Sequence, residues 1–439
     1  MRPPPPTAAI QGGPMTSLNT PDAVRARAAE LDAADELAHL RERFVPMDAC
    51  GTVGGAVLSY LDGNSLGRPL KSAAEALDRI VSEAWGTRLI RSWDEQWMEL
   101  PLRLGDRLGE VALGAAPGQV VVADSTTVML YKLLRAGLAA AQAADPARRE
   151  IVVDTGNFPT DRYVAEGIAA ECDAELVWIE ADAGTGVTTE QVRDAVGSAT
   201  AAVVLSHVAY RSAYVADLPA ITQVVHEAGG LVLWDLCHSA GVVPVDLDEH
   251  EVDLAVGCSY KYLNGGPGAP AFGYVAARHQ ERMTQPIQGW MGHAEPFVMG
   301  PGYQPSPGMR RFISGTPPVL GMVPLGEMVE LVADVGLPAL TAKATALTEF
   351  AIEVTDGLLT RHGVSVDSPR DPAQRGGHVT LGHPAAREVI AALWEQGVIP
   401  DFREPDGVRL GMSPASTSFA EVAEGLLLLD AELERAGRG

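Results

Sequence analysis

The chain has only four lysines, Lys71, Lys132, Lys261 and Lys343, and otherwise takes its positive charge from arginine. Lys261 stands in Ser259-Tyr260-Lys261-Tyr262-Leu263-Asn264-Gly265-Gly266-Pro267-Gly268, directly after the apolar run Leu254-Ala255-Val256-Gly257-Cys258. Arginine stays protonated near neutral pH and is a poor nucleophile. A lysine between tyrosines at the end of a buried strand suggests an amine kept for Schiff-base chemistry. A solvated surface lysine fits the same segment equally well. Three further clusters move the balance. Asp124-Ser125-Thr126-Thr127 opens a helix with hydroxyls and free N–H groups, which suits a phosphate or simple N-capping. Asn157-Phe158-Pro159-Thr160-Asp161 puts a ring and a carboxylate at another helix start. Trp234-Asp235-Leu236-Cys237-His238 ends an apolar strand with an aspartate that is expensive to bury without a cationic partner. A pyridinium nitrogen would serve as that partner; His238 would orient a cofactor hydroxyl or sit as a satisfied core histidine. Phosphate cradle, stacking ring, pyridinium partner and amine together make the set of groups that pyridoxal 5'-phosphate needs.

These clusters must be held at the ends of strands. From about Gln119 short apolar runs alternate with helical stretches: strands at 120–123, 151–154, 176–179, 201–205, 231–235, 254–256 and 271–275, with helices at 127–144, 159–171, 190–196 and 219–228. Such runs predict a mostly parallel seven-stranded α/β sheet covered on both faces. Ligands of such sheets gather at the carboxyl ends of the strands. Beyond Pro318 the pattern changes to a long helical stretch over 320–362, then strands near 377–381, 398–402 and 408–411, which reads as a smaller α+β C-terminal domain. Ahead of the sheet, residues 1–21 read as a disordered, proline-rich tail, and 20–44 as helical. The expected division is 1–21 tail, 22–69 N-terminal segment packing with the small domain, 70–318 large domain, 319–439 small domain.

Composition narrows the function classes. The 439 residues carry a formal charge of −24, a surface that repels phosphate backbones, so nucleic-acid binding is not expected. No apolar run approaches the roughly 20 residues that span a bilayer, and no signal peptide is visible; a cytoplasmic protein is expected. The cysteines Cys50, Cys172, Cys237 and Cys258 form no C-x-x-C pair. His293, His378 and His383 show no i, i+4 pairing, so no metal site is expected. The run at Gly265 lacks the form of a nucleotide-binding loop.

The chain resembles the kynureninase family of fold-type I pyridoxal-phosphate enzymes, related to the class V aminotransferases. The resemblance rests on Tyr60-Leu61-Asp62-Gly63-Asn64-Ser65-Leu66-Gly67, on the 157–161, 234–241 and 260–268 segments, on Gly289-Trp290-Met291-Gly292-His293 and on Ser314-Gly315-Thr316-Pro317-Pro318. It implies that Lys261 holds the cofactor covalently and then moves protons, that Asp235 pairs with the pyridinium with Asp161 nearby, and that Phe158 stacks on the ring. Thr126, Thr127, Ser206 and Tyr260 would hold the phosphate, Thr160 would border the cofactor, and His238 would sit near the ring hydroxyl. Tyr260 would also be the proton donor when the leaving fragment departs. Arg409 would take the substrate carboxylate as a bidentate pair, with Asn64 and Ser65 beside it. Trp85, Trp290 and Thr316 would shape the pocket for the aromatic ring, the last two reaching over from a second subunit of a homodimer. The implied reaction is hydrolysis of the β–γ bond of L-kynurenine, or a 3-hydroxy or otherwise ring-modified kynurenine, to anthranilate or its derivative and L-alanine.

Two segments depart from the family's pattern. Met412-Ser413-Pro414-Ala415-Ser416-Thr417 lacks a Leu-Tyr pair, and Tyr210-Arg211-Ser212-Ala213 carries Ser-Ala for Thr-Gly. They leave open a ring-modified substrate, another β-substituted amino acid, or a class V aminotransferase. A cysteine desulfurase would need a cysteine in the C-terminal half, and none follows Cys258.

Overall fold

The structure, a computed structural model, describes residues 18–47, 56–182 and 184–438. The tail expected over 1–21 lies mostly outside these residues. Leu18, inside it, is already buried, and Thr20 caps the helix Pro21–Ala33 by accepting from the Ala23 amide at 3.3 Å. A two-residue strand, β1 (Ser59–Tyr60), precedes the large sheet.

That sheet contains β2 (Val120–Ala123), β3 (Glu150–Asp154), β4 (Glu175–Ile179), β5 (Thr200–Ser206), β6 (Leu231–Asp235), β7 (Leu254–Gly257) and β8 (Ala271–Val275), in spatial order β2-β8-β7-β6-β5-β3-β4. β8 alone runs against its neighbours. The interior strands are apolar throughout because both faces are covered, and alternate residues go to different cores. Val203, Leu205, Val232 and Trp234 face one core with the helix Leu218–Glu227 and the helix Val319–Val335. Ala202, Val204, Leu231 and Leu233 face the other, with the helices Thr126–Ala144 and Pro159–Cys172. Strand order reverses between β3 and β5, so a crevice opens where their carboxyl ends diverge.

The C-terminal part forms a four-stranded antiparallel sheet, β12 (Asp401–Arg403), β13 (Gly407–Gly411), β10 (His378–Gly382) and β9 (Ser365–Val366), while β11 (Val398–Ile399) pairs with β1 in parallel. Its core also takes Val24 and Ala28 of the first helix and Leu61. Three elements differ from the sequence reading. The first helix stops at Ala33; Asp35 then turns inward to pair with the buried Lys343, and a short 3-10 helix, Ala38–Arg43, follows. The helical stretch over 320–362 breaks at Gly336, whose φ of 85° no helix accepts. The run at 398–402 divides at Pro400, so that β11 and β12 join different sheets.

One buried carboxylate anchors the strand that leads to Lys261. Asp253, 1 % exposed, stands just before β7. It accepts from the Val232 amide (2.9 Å), His226 Nε2 (2.9 Å), His279 Nε2 (2.6 Å) and Arg278 Nη2 (2.8 Å), tying β6, β7 and the chain after β8 together. Burial alone would raise this carboxyl, but the His226 and His279 donors outweigh it and hold it well below the usual carboxylate range. A depressed carboxyl stabilises the fold above its unfolded value, near 4, and loses that contribution as pH falls. Asp253→Asn should therefore cost about 3 kcal/mol of folding stability at neutral pH. Urea denaturation of both proteins should show the gap narrowing from pH 5 to pH 3.

Candidate functional site

One cavity at the carboxyl edge of the large sheet is lined by Thr126, Thr127, Phe158, Thr160, Asp161, Ser206, Asp235, His238, Tyr260 and Lys261, together with Tyr210 and Cys237. Ten of the residues singled out in the sequence thus meet in one place, although they come from five separate strand ends. Each is positioned by local structure. Ser125 caps the helix Thr126–Ala144, leaving Thr126 and Thr127 in its first turn with free backbone donors. Asn157, absent from the expected site, crosses from the end of β3 to β5. Its amide donates to the Val204 carbonyl at 3.3 Å, and its Oδ1 accepts from Ser206 Oγ at 2.7 Å and from the Phe158 amide at 2.8 Å. That bracket holds the Phe158 ring at the cavity, edge-on to Tyr210. Only its place in the 157–161 segment could have pointed to it.

Asp235 ends β6 and is 6 % exposed; its Oδ1 accepts from the Cys237 amide at 2.6 Å. Asp161, 2 % exposed, lies against it, and its Oδ2 has no protein partner. Burial and then the Asp235 carboxyl push Asp161 well above the ordinary carboxylate range. Neither acid forms an ion pair among the described residues. His238 is fully enclosed; burial first, then Lys261 and the ring of His378, hold it well below the usual imidazole range, so it is neutral. Burial and the Cys258 and Cys237 thiols push the Tyr260 phenol up, so it keeps its proton.

The four lysines now separate by environment. Lys132 is buried in an ion pair with Asp124, and Lys343 in one with Asp35. Lys71 opens a surface helix. Lys261 alone faces the cavity. Its Nζ lies 2.9 Å from His238 Nε2 and 5.9 Å from the centre of the Phe158 ring. Its loop is pinned from several sides: Ser259 Oγ donates to the Pro270 carbonyl at 2.5 Å, and the Tyr260 carbonyl accepts from the Gly67 amide at 2.7 Å. A Cβ at Gly67 would collide with the Lys261 carbonyl, so this approach requires glycine.

Beside the cavity, Arg409 comes from β13 and is 1 % exposed. Its Nη2 donates to Ser65 Oγ (2.7 Å) and Asp401 (2.5 Å), and its Nη1 to the Tyr210 carbonyl (2.8 Å). With the Asn64 amide oxygen turned toward it, Nε has a partner at 3.1 Å. Asn64 and Ser65 therefore frame Arg409, but Asp401 occupies the guanidinium where a substrate carboxylate was expected. The spacing of Asp401 and Arg409 in sequence carried no sign of this; they face each other only through the β12–β13 register. Trp85 (56 % exposed), Trp290 (36 %) and the exposed Thr316 do not line this cavity in the single chain. Trp85 instead joins Trp93, Trp97 and Leu320 in an apolar surface hollow. No cluster of metal-ligating side chains occurs among the described residues, and no described helix is long and apolar enough to cross a membrane.

The residues present fit pyridoxal phosphate. Two adjoining buried acids without a cation, one with an unpartnered oxygen, match a protonated ring nitrogen. A helix N-terminus with hydroxyls matches a phosphate, and the amine of Lys261 shares the cavity with both. Solved structures resemble the chain in fold. Its fold matches an apo cysteine desulfurase from Thermococcus onnurineus NA1 with a TM-score of 0.73 and 18% identity, over 86% of this chain and 95% of that one. A C-DES mutant with glycine linked to its PLP cofactor matches with a TM-score of 0.74 and 19% identity, over 85% and 96%. The fold is that of the fold-type I pyridoxal-phosphate enzymes. A family model described as the kynureninase C-terminal domain matches residues 340–429. The kynureninase of Pseudomonas fluorescens is 42% identical over 407 residues, 92% of this chain and 94% of the relative. That of Burkholderia pseudomallei (strain 1106a) is 42% identical over 94% of this chain and 97% of its own length. The chain belongs to the kynureninase family.

The acid pair generates a prediction. A carboxyl raised by burial favours the fold below its unfolded value, near 4, and that contribution is lost as pH rises. Asp161→Asn keeps a neutral donor beside Asp235 and removes the loss. In cofactor-free protein it should be stabilising by about 1 kcal/mol at pH 8, with the advantage vanishing below about pH 4 in paired melting curves.

Proposed function

We propose that this protein hydrolyses L-kynurenine, or a ring-modified kynurenine, to anthranilate or its derivative and L-alanine. The observation that carries this reading is the single cavity that joins Lys261 to the Asp161–Asp235 pair, in a chain that aligns with kynureninases over nearly its whole length. When bound, pyridoxal phosphate supplies an electron sink for the α-carbon of an amino acid.

The protein's own groups do the rest. Asp235 would hold the ring nitrogen as an ion pair, with Asp161 steadying that carboxylate. Phe158 would cover the ring, while Thr126, Thr127, Ser206 and Tyr260 would hold the phosphate at the helix N-terminus. Thr160 would border the cofactor, and His238 would serve the ring hydroxyl. Arg409 takes the substrate carboxylate by exchanging it for Asp401, with Asn64 and Ser65 keeping the guanidinium in plane. The amine of Lys261 would move the proton at the α-carbon. Water adds to the γ-carbonyl of the substrate, and the β–γ bond breaks with its electrons left on the β-carbon. The γ-carbon leaves as the carboxyl of anthranilate. Tyr260, protonated at working pH, is the donor to the β-carbon, which becomes the methyl group of alanine.

The chain divides functionally into a segment 22–69 that packs with the small domain, a large domain 70–318 and a small domain 319–439. The exposed Trp290, Phe297, Val298 and Met299, 36 %, 63 %, 63 % and 75 % accessible, support a homodimer in which Trp290 and Thr316 complete the partner's aromatic pocket.

Purified protein incubated with L-kynurenine and 3-hydroxykynurenine should release alanine and the matching anthranilate in equal amounts. Transamination without alanine would sink the reading. Lys261→Ala should remove both product formation and the visible absorption of bound cofactor. Asp235→Asn should keep cofactor but lower kcat about 100-fold or more, and Arg409→Lys should raise KM about tenfold, the single charge replacing a fork. Light scattering should give twice the chain mass.

A further inference from the structure

His378 opens β10 in the small sheet, far in sequence from every cluster that forms the cavity, and is 0 % exposed. Its ring centre lies 5.3 Å from that of His238, with the planes tilted by 53°. Neither nitrogen of His378 meets a protein partner, and neither does Nδ1 of His238. The hydroxyl of Tyr262, 2 % exposed and set against Gly377, is unpartnered as well. Unpartnered buried polar atoms are rare, and four gathered at one contact mark a built arrangement rather than an accident.

The chemistry of the pair is restricted. A neutral imidazole offers one donor and one acceptor. His238 Nε2 is taken up by the amine of Lys261 at 2.9 Å, which leaves Nδ1 as the atom that sets the ring's rotation and tautomer. The charged groups that act most on the two rings are Lys261, Arg409 and Arg403, the two arginines being paired with Asp401. Burial and these cations keep both imidazoles neutral. The backbone carbonyl of Arg211 lies near the His378 ring without completing a hydrogen bond to it.

We propose that His378 is a positioning residue for the catalytic amine: it pairs with Nδ1 of His238 through one water, and so fixes the ring that meets Lys261. Seating of the small sheet against the large one is thereby felt at the amine. The inference rests on Lys261 being the working amine. Its test does not depend on which substrate is used.

The test is nitrogen NMR of histidine-labelled holoenzyme, with the His238 signals assigned from a His238→Asn variant. Wild type should show His238 as one tautomer. His378→Phe, which keeps the ring volume and removes both nitrogens, should turn it into a mixture and lower kcat about tenfold, with KM within about twofold of wild type. His378→Gln, which can both donate and accept, should restore the single tautomer and most of kcat. A mixture of tautomers at His238 in the wild type would overturn the proposal without any variant. So would unchanged His238 signals, or an unchanged kcat, in His378→Phe. If kynurenine is not cleaved but the tautomer responds as stated, the substrate assignment fails and the pairing stands.

Discussion

The structure turns on a buried negative charge that the chain does not neutralise. Asp235, at the end of β6, and Asp161, in the first turn of the helix that follows β3, lie side by side, 2 % exposed for Asp161 and 6 % for Asp235, with no ion-pair partner among the described residues. Two such acids cannot both ionise in a dry site at low cost. Elsewhere the protein shows that it can supply cations to buried carboxylates: Asp124 has Lys132, Asp35 has Lys343, and Asp253 has Arg278 and two histidines. The omission at Asp161 and Asp235 therefore defines a place for a positively charged ring nitrogen, brought by a ligand. The rest of the site is arranged around that place: an aromatic face, a helix N-terminus and an amine.

That arrangement needs two sheets. The large sheet supplies the acids, the phenyl ring, the tyrosine and the lysine from strand ends at its topological reversal, where the backbone diverges and leaves room. The small sheet supplies Arg409 and His378, and the short segment 62–67 threads between them. Gly67 brings its backbone against the Lys261 loop. Gly411 lets Asn64 approach β13, where any Cβ would collide with the Asn64 amide. Asp401 and Arg409 are held opposite each other by strand register, so the buried guanidinium is kept satisfied within the folded chain. A buried arginine without that partner would carry a heavy desolvation penalty.

Much of this was legible in the residues. The alternation of short apolar strands and helices from Val120 to Val275 matches the observed elements to within a residue or two, because a sheet buried on both faces writes a run of apolar residues with no polar interruption. The boundaries that moved did so for tertiary reasons. Asp35 left its helix to meet Lys343, more than 300 positions away, and Pro400 divided one apparent strand between two sheets. Nine site residues sat in the clusters picked out by type and strand-end position, and Ser206 came only through the family resemblance. No role was expected of Asn157 within its cluster, or of His378 beyond a metal site it was not expected to form, since an asparagine and a histidine at element boundaries carry no distinctive spacing.

The sequence by itself determined the chemistry: a lone lysine at a strand end, an aspartate closing an apolar strand, and hydroxyls at a helix start, each of a type that only certain reactions use. Those signals are local, and local propensity and pattern are enough to place them at strand ends. What only the tertiary structure decided was which groups share one volume. It put Asp161 against Asp235, filled Arg409 with Asp401, and set His378 beside His238. Those contacts depend on register and on the packing of two separate cores, and no run of neighbouring residues encodes either.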